Sequence, residues 1–205
     1  MIENYNKQIA NLISRGDLLL LKASRAEPLS NYANVLLGGT PSRAHPEYWD
    51  GDISWINSGA ITGSPAILEC SEKITKLGVQ KSATKCANAG ETVLSIIEPS
   101  KEKVSLVLDN EIYFNQSVIC ISSKKQLWQG LLFFASRKLI DDIKGYATGA
   151  AQQSINKDLV ENEQITVPDD STIQKLETIK NRIINLEHKI RVLMKQKELL
   201  LSKYF

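Results

Sequence analysis

After the turn-forming stretch VPDDST, apolar residues recur at alternating spacings of three and four toward the end of the chain. Leu176, Ile179, Ile183, Leu186, Ile190 and Leu193 fill these positions, Lys197 interrupts, and Leu200 and Tyr204 resume. This is a heptad a/d pattern held for about four heptads. Ser171 or Thr172 is expected to cap the helix, and no Pro or Gly breaks the run before Phe205. Lys180, Arg182, Glu187 and Lys189 flank the stripe and read as the solvated shoulders of a coiled coil. Some thirty helical residues span about 50 Å, longer than a small domain is wide. The pattern therefore predicts pairing with a partner helix through the a/d stripe. An amphipathic helix folded back on its own domain is the alternative that the same spacing allows. Lys197, polar at an a position, fits a register-setting residue of a helix pair.

A shorter helical pattern opens the chain, where Ile2, Tyr5, Ile9, Leu12 and Ile13 predict a helix over about residues 1–16, ending near Gly16. The middle consists of short β-rich runs, DISWI, TVLSII, KVSLVL and SVICIS, separated by turn signals. One helical stretch, LWQGLLFFASRKLIDDI, interrupts them from Leu127 to Ile143. The fold class this predicts is α+β: a mixed domain over residues 1–170 carried on a long C-terminal helix over 171–205.

Composition adds limits. The chain has 205 residues, 42% hydrophobic and 23% charged, which is ordinary for a globular protein with a sizeable core. No apolar run approaches the length of a membrane span. The opening MIENYNKQIA lacks the basic and apolar regions of a secretory signal, so a cytoplasmic location is expected. Cys70, Cys86 and Cys120 are far apart and odd in number, which fits reduced thiols, and with His45 and His188 alone a zinc site has few ligands. From Ser171 onward eight Lys/Arg face three Glu, a balance of +5, leaving −3 for residues 1–170. Any nucleic-acid surface on the domain must then be a local patch.

No catalytic pattern emerges. The G-x-S-x-G, H-E-x-x-H and G-K-[ST] arrangements are absent from the sequence. The carboxylate pairs Asp50/Asp52 and Asp141/Asp142 read as surface charges. An adenine methyltransferase would show an Asn/Asp-Pro-Pro-Tyr/Phe motif, which is also missing.

Four segments, in order, resemble the specificity subunits of type I restriction-modification systems. They are GGTPSRAHPEYWDGDISWINSGAI, EKITKLGVQKSATKCANAGETVLSI, FNQSVICI and GAAQQSINKDLVENEQITVPDDSTIQKLETI. The likeness covers about Gly38 to Phe205 and lies in the order and spacing of the pieces. The chain departs from the pattern at EPSKEKVSL, where the family carries a glycine, and in the Asp-Asp after Pro168.

The resemblance implies a target recognition domain followed by a conserved-region helix, in a non-catalytic half-subunit that must pair. Two copies with antiparallel helices would place two recognition domains a helix-length apart on double-stranded DNA. A homodimer would read an inverted repeat, and pairing with a different half would read an asymmetric target. The implied partners are a methyltransferase subunit, which would carry S-adenosylmethionine, and optionally a restriction subunit; the chain itself needs no cofactor. Base edges are read by Asn, Gln, Arg, Lys and Ser, and phosphates by Lys, Arg, Ser and Thr. The candidates inside the family-like segments are Ser42, Arg43, Asn57, Ser58, Lys101, Lys103, Asn115, Gln116, Gln152, Gln153 and Asn156. Asn and Ser beside strands also serve as plain turn-makers, and Tyr48 and Trp49 serve as core or as stacking platforms. The competing function is a coiled-coil interaction module that binds no DNA, which the −3 domain favours.

Overall fold

The computed structural model describes residues 1–23, 25–70, 72–144 and 155–204. The first helix, α1, runs over Ile2–Leu21 and does not stop near Gly16 as expected. A glycine ends a helix by turning left-handed, but here it lies inside one. A Cβ on Gly16 would sit 2.2 Å from the ring of Phe134, so the missing side chain lets two helices cross closely.

Strands β1 (Arg25–Pro28), β2 (Ala33–Leu37), β3 (Trp49–Ile56) and β4 (Glu72–Ile74) follow, then the short α2 (Lys76–Gln80). Next come β5 (Lys85–Ala87), β6 (Thr92–Ser95), β7 (Val104–Leu106), β8 (Ile112–Phe114) and β9 (Val118–Ser123). The chain closes with α3 (Gln129–Lys144), α4 (Lys157–Asn162), β10 (Gln164–Val167) and α5 (Asp170–Tyr204). The four runs read as strands lie in β3, β6, β7 and β9, and the expected middle helix is α3.

β1 and β10 form a two-stranded antiparallel sheet; of the two four-stranded sheets, the first has the order β2-β9-β6-β7 and is antiparallel, and the second has the order β4-β3-β8-β5. In the second, β3 and β8 run parallel, with Trp55 opposite Tyr113 and Ile56 opposite Phe114. The two-residue period of β9 explains the layering. Val118 and Cys120 face the second sheet and pack with Ile56, Ile112 and Phe114. Ile119 and Ile121 face the other way, into a core shared with α1, α3 and α5. Both sides of β9 are therefore dry, and each large side chain buried there contributes about 1.5–3 kcal/mol. A third cluster, Trp49, Trp55 and Ile74, lies on the outer face of the second sheet, where Val79 of α2 and Tyr48 pack on it.

Leu176, Ile179, Ile183, Leu186 and Ile190 on α5 are buried within this chain, in the core with α1 and α3. The fold-back alternative thus accounts for this part of the stripe. Lys180 and Glu187, expected as solvated shoulders, are also buried, because α5 is enclosed on more sides than a two-helix seam would be. Asp169, not Ser171 or Thr172, caps the helix: its Oδ1 accepts from Thr172 N at 2.7 Å. Arg191 forks onto Asp109 at 2.5 and 2.8 Å and ties α5 to the loop before β8. Beyond it Leu193 is half-buried, Lys197 exposed and Leu200 58% exposed, beside exposed Val192, Leu199 and Leu201. Among the described residues no helix is long and apolar enough to cross a membrane.

Candidate nucleic-acid interface

The parallel pair β3 and β8 ends in two polar segments, Asn57-Ser58 and Asn115-Gln116-Ser117, which the pairing brings side by side. Asn115 N donates to Ile56 O at 3.1 Å, and Ser58 N donates to Ser117 Oγ at 3.2 Å. Asn115 Oδ1 accepts from Ser117 N at 2.9 Å and from Ser117 Oγ at 2.6 Å. Asn57 Oδ1 accepts from Gly59 N at 2.8 Å. A backbone N–H can only donate, so both carboxamide oxygens are fixed inward and the NH2 groups remain.

The GGTP turn packs on this cluster. Gly39 N donates to Phe114 O at 3.0 Å, and the hydroxyl of Thr40 donates to Gln116 Oε1 at 2.6 Å. A Cβ on Gly38 would lie 2.1 Å from Phe114 O, and one on Gly39 would lie 2.7 Å from the carbonyl carbon of Ala83. The double glycine is thus what lets the turn lie against β8. Ala83 leads to Thr84, whose hydroxyl donates to Phe114 O at 2.9 Å, and to Lys85, opposite Phe114. Segments far apart in sequence therefore converge at one end of the sheet, with Thr40, Lys85 and Gln116 exposed and Asn57, Ser58 and Asn115 half-buried.

The other sequence candidates lie elsewhere. Ser42 and Arg43 turn onto the outer face, where Trp49 Nε1 donates to Ser42 O at 3.3 Å. The Arg43 guanidinium stacks 3.4 Å from the Trp49 ring and forks onto Glu72 at 2.6 and 2.8 Å. That hydrogen bond raises its pKa further, so Arg43 braces the edge of the sheet. Trp49 is core. Lys101 and Lys103 are engaged beside α3: Lys101 lies 3.6 Å from Asp141, while Lys103 donates to Ile97 O and Glu98. Asp142 pairs with Lys138 at 2.7 Å, as a surface charge does. Asn156 caps α4, its Oδ1 accepting from Leu159 N at 2.8 Å. It sits at the flank of the cluster, because Ile155 N donates to Ile96 O and Ile96 N donates to Ser117 O. Gln152 and Gln153 fall outside the described residues.

Sequence reading missed Thr40 and Ser117, which complete the cluster, and the exposed lysines of the segment before β5. The signal was present in the second family-like segment, where Lys73, Lys76, Lys81 and Lys85 occur with no acidic residue between Glu72 and Glu91.

None of the curated proteins matches the chain. Among solved structures, the HsdS subunit from Thermoanaerobacter tengcongensis matches with TM-score 0.55 and 12% identity, over 94% of this chain and 50% of that one. The type I restriction-modification S subunit from M. genitalium matches with TM-score 0.55 and 12% identity, over 100% and 57%. A structure addressing assembly and conformational transition of the type I R-M system matches with TM-score 0.56 and 12% identity, over 98% and 52%. At that identity the likeness is one of fold, and the chain spans about half the length of these proteins. The model of the type I restriction modification DNA specificity domain matches residues 29–195, a stretch that contains the whole carboxamide cluster and most of α5, and the chain belongs to that family.

Proposed function

We propose that this chain is one recognition unit of a type I restriction-modification specificity subunit, selecting a DNA sequence without catalysing a reaction. The observation that carries the reading is the family match over residues 29–195, inside which Thr40, Asn57, Ser58, Asn115 and Gln116 meet at one exposed end of a sheet. Asn57 and Asn115 have their oxygens engaged by backbone N–H groups. They offer NH2 donors, which match acceptor edges such as purine N7, guanine O6, thymine O4 or a phosphate. Gln116 differs, because its oxygen meets only a rotatable hydroxyl. It is the residue best placed for the bidentate donor–acceptor pair with adenine.

One unit reads one half-site, so the unit pairs. The face for pairing is the distal part of α5, where Leu193, Lys197 and Leu200 continue the stripe beyond the head, and Tyr204 ends it. The proximal positions are already enclosed by α1 and α3. Two copies laid antiparallel would separate two heads and read an inverted repeat in double-stranded DNA. A methyltransferase subunit carrying S-adenosylmethionine, and where present a restriction subunit, would supply the chemistry. The working place of such an assembly is the cytoplasm.

Light scattering of the purified chain tests the pairing. A particle of twice 22.8 kDa at two concentrations is expected, and a monomer at both would overturn the homodimer.

A further inference from the structure

Residues 1–170 carry a balance of −3, yet between Glu72 and Glu91 there are four lysines and no acidic side chain. Lys73, Lys76, Lys81 and Lys85 are all exposed, and among the described residues none makes an ion pair or hydrogen bond. Lys101 and Lys103, by contrast, are engaged: Lys101 by Asp141, and Lys103 by Glu98 and the Ile97 carbonyl. The acidic residues bounding the segment are also occupied. Glu72 lies in the fork of Arg43, and Glu91 accepts from Ser122 Oγ and from Asn88 N. A free ammonium reaches a phosphate without breaking an existing pair, whereas Lys101 and Lys103 would have to break theirs.

The fold sorts the four lysines. Ile74 is buried in the tryptophan cluster on the face that α2 covers, so Lys73, its neighbour in β4, projects from the opposite face. Lys76 opens α2 and Lys81 follows it, on the covered face. Lys85 opens the edge strand β5 in register with inward-facing Phe114, on the face away from α2, next to the Gly39-Thr40 turn and to Asn115 and Gln116. Lys76, Lys81 and Lys85 thus follow the chain from α2 to the edge strand β5, whose first residue lies beside the carboxamide cluster.

We infer that Lys76, Lys81 and Lys85 grip the phosphate backbone of duplex DNA, which lies across α2 and the start of β5. This rests on the DNA-reading function proposed above. It deepens that reading by dividing the work: the carboxamides meet bases, the three lysines fix the strand that passes beside them, and the α3 side with Lys101 and Lys103 faces away from DNA.

The test is the salt dependence of binding to a short mixed-sequence duplex, followed by fluorescence anisotropy of the full chain. The variants are Lys76→Gln/Lys81→Gln/Lys85→Gln, Lys73→Gln alone, and Lys101→Gln/Lys103→Gln. Each phosphate contact contributes about one unit to the slope of log affinity against log salt. The triple variant is expected to lose about three units of slope and to bind at least about tenfold more weakly at low salt. The Lys73 and the Lys101/Lys103 variants should keep the wild-type slope. A triple variant with the wild-type slope would overturn the inference and leave these lysines to an acidic protein surface. Equal losses in all three variants would overturn it too, by showing a diffuse field. Absence of any salt-dependent binding by the wild type would instead overturn the DNA-reading function itself. Melting temperatures confirm that these exposed substitutions leave the fold intact.

Discussion

Replacing Glu177 by alanine should destabilise the isolated chain severely, because one carboxylate holds two buried donors. Its Oε2 accepts from Gly130 N at the start of α3, at 2.7 Å, and its Oε1 accepts from Lys180 Nζ at 2.6 Å. Glu177 is 8% exposed and Lys180 6%. Glu177→Ala leaves an ammonium buried without its anion, which costs about 3–5 kcal/mol. It also orphans an N–H, worth about 1–3 kcal/mol. The two losses share one group, and a lysine stem can carry its head toward water. The combined expectation is therefore about 3–4 kcal/mol, a large part of the roughly 5–15 kcal/mol a domain has. For a chain of this size that lowers Tm by about 6–16 °C. Urea denaturation followed by circular dichroism gives the free energy. Glu177→Gln/Lys180→Met, which removes both charges at similar volume, should recover most of the loss. A Glu177→Ala chain within about 1 kcal/mol of wild type would refute the reasoning. It would mean that α5 does not dock on α3 in solution and that the proximal stripe is free for a partner.

Three further outcomes follow from the same packing. Gly38→Ala drives a Cβ to 2.1 Å from Phe114 O, so a loss of about 1–3 kcal/mol or more is expected in the melting curve, together with weaker DNA binding. Burial pushes the Glu187 carboxyl up to about 7, with Ser64 Oγ at 3.3 Å opposing the shift only weakly. A raised folded pKa means that the contribution is present below the unfolded value near 4.5 and is lost as pH rises through about 7, a change of about 3 kcal/mol at most. Glu187→Gln should therefore be more stable than wild type at about pH 8 and similar to it at about pH 5, and urea midpoints at the two pH values check this. Leu193→Glu/Leu200→Glu, on the distal part of α5, should convert a dimer to a monomer by light scattering while the circular dichroism spectrum keeps its folded shape.

The heptads were legible in the sequence; what they would meet was not. A spacing of three and four serves a two-helix seam and an internal three-helix core equally well, and Leu176 to Ile190 serve the second. Gly16 read as a terminator because a glycine at a helix end and a glycine at a helix crossing look alike in one dimension. The strand ends carrying Asn57 and Asn115 could be named, but their meeting depends on the long-range parallel pairing of β3 with β8. Lys101 and Lys103 were attractive as loop cations until α3 brought Asp141 to Lys101, while Lys103 found Glu98 nearby. The free lysines before β5 were hidden by averaging, since a balance of −3 over 170 residues conceals a local run of one sign.

The central claim is that this chain reads DNA sequence through the cluster around Gln116, and selection of duplexes from a randomised pool tests it most directly. Wild-type protein is expected to enrich a defined element as two inverted half-sites with a constant gap. Gln116→Ala should relax the preference at one position of each half-site, a loss of about 1–3 kcal/mol in discrimination. A pool recovered without sequence enrichment would contradict the account.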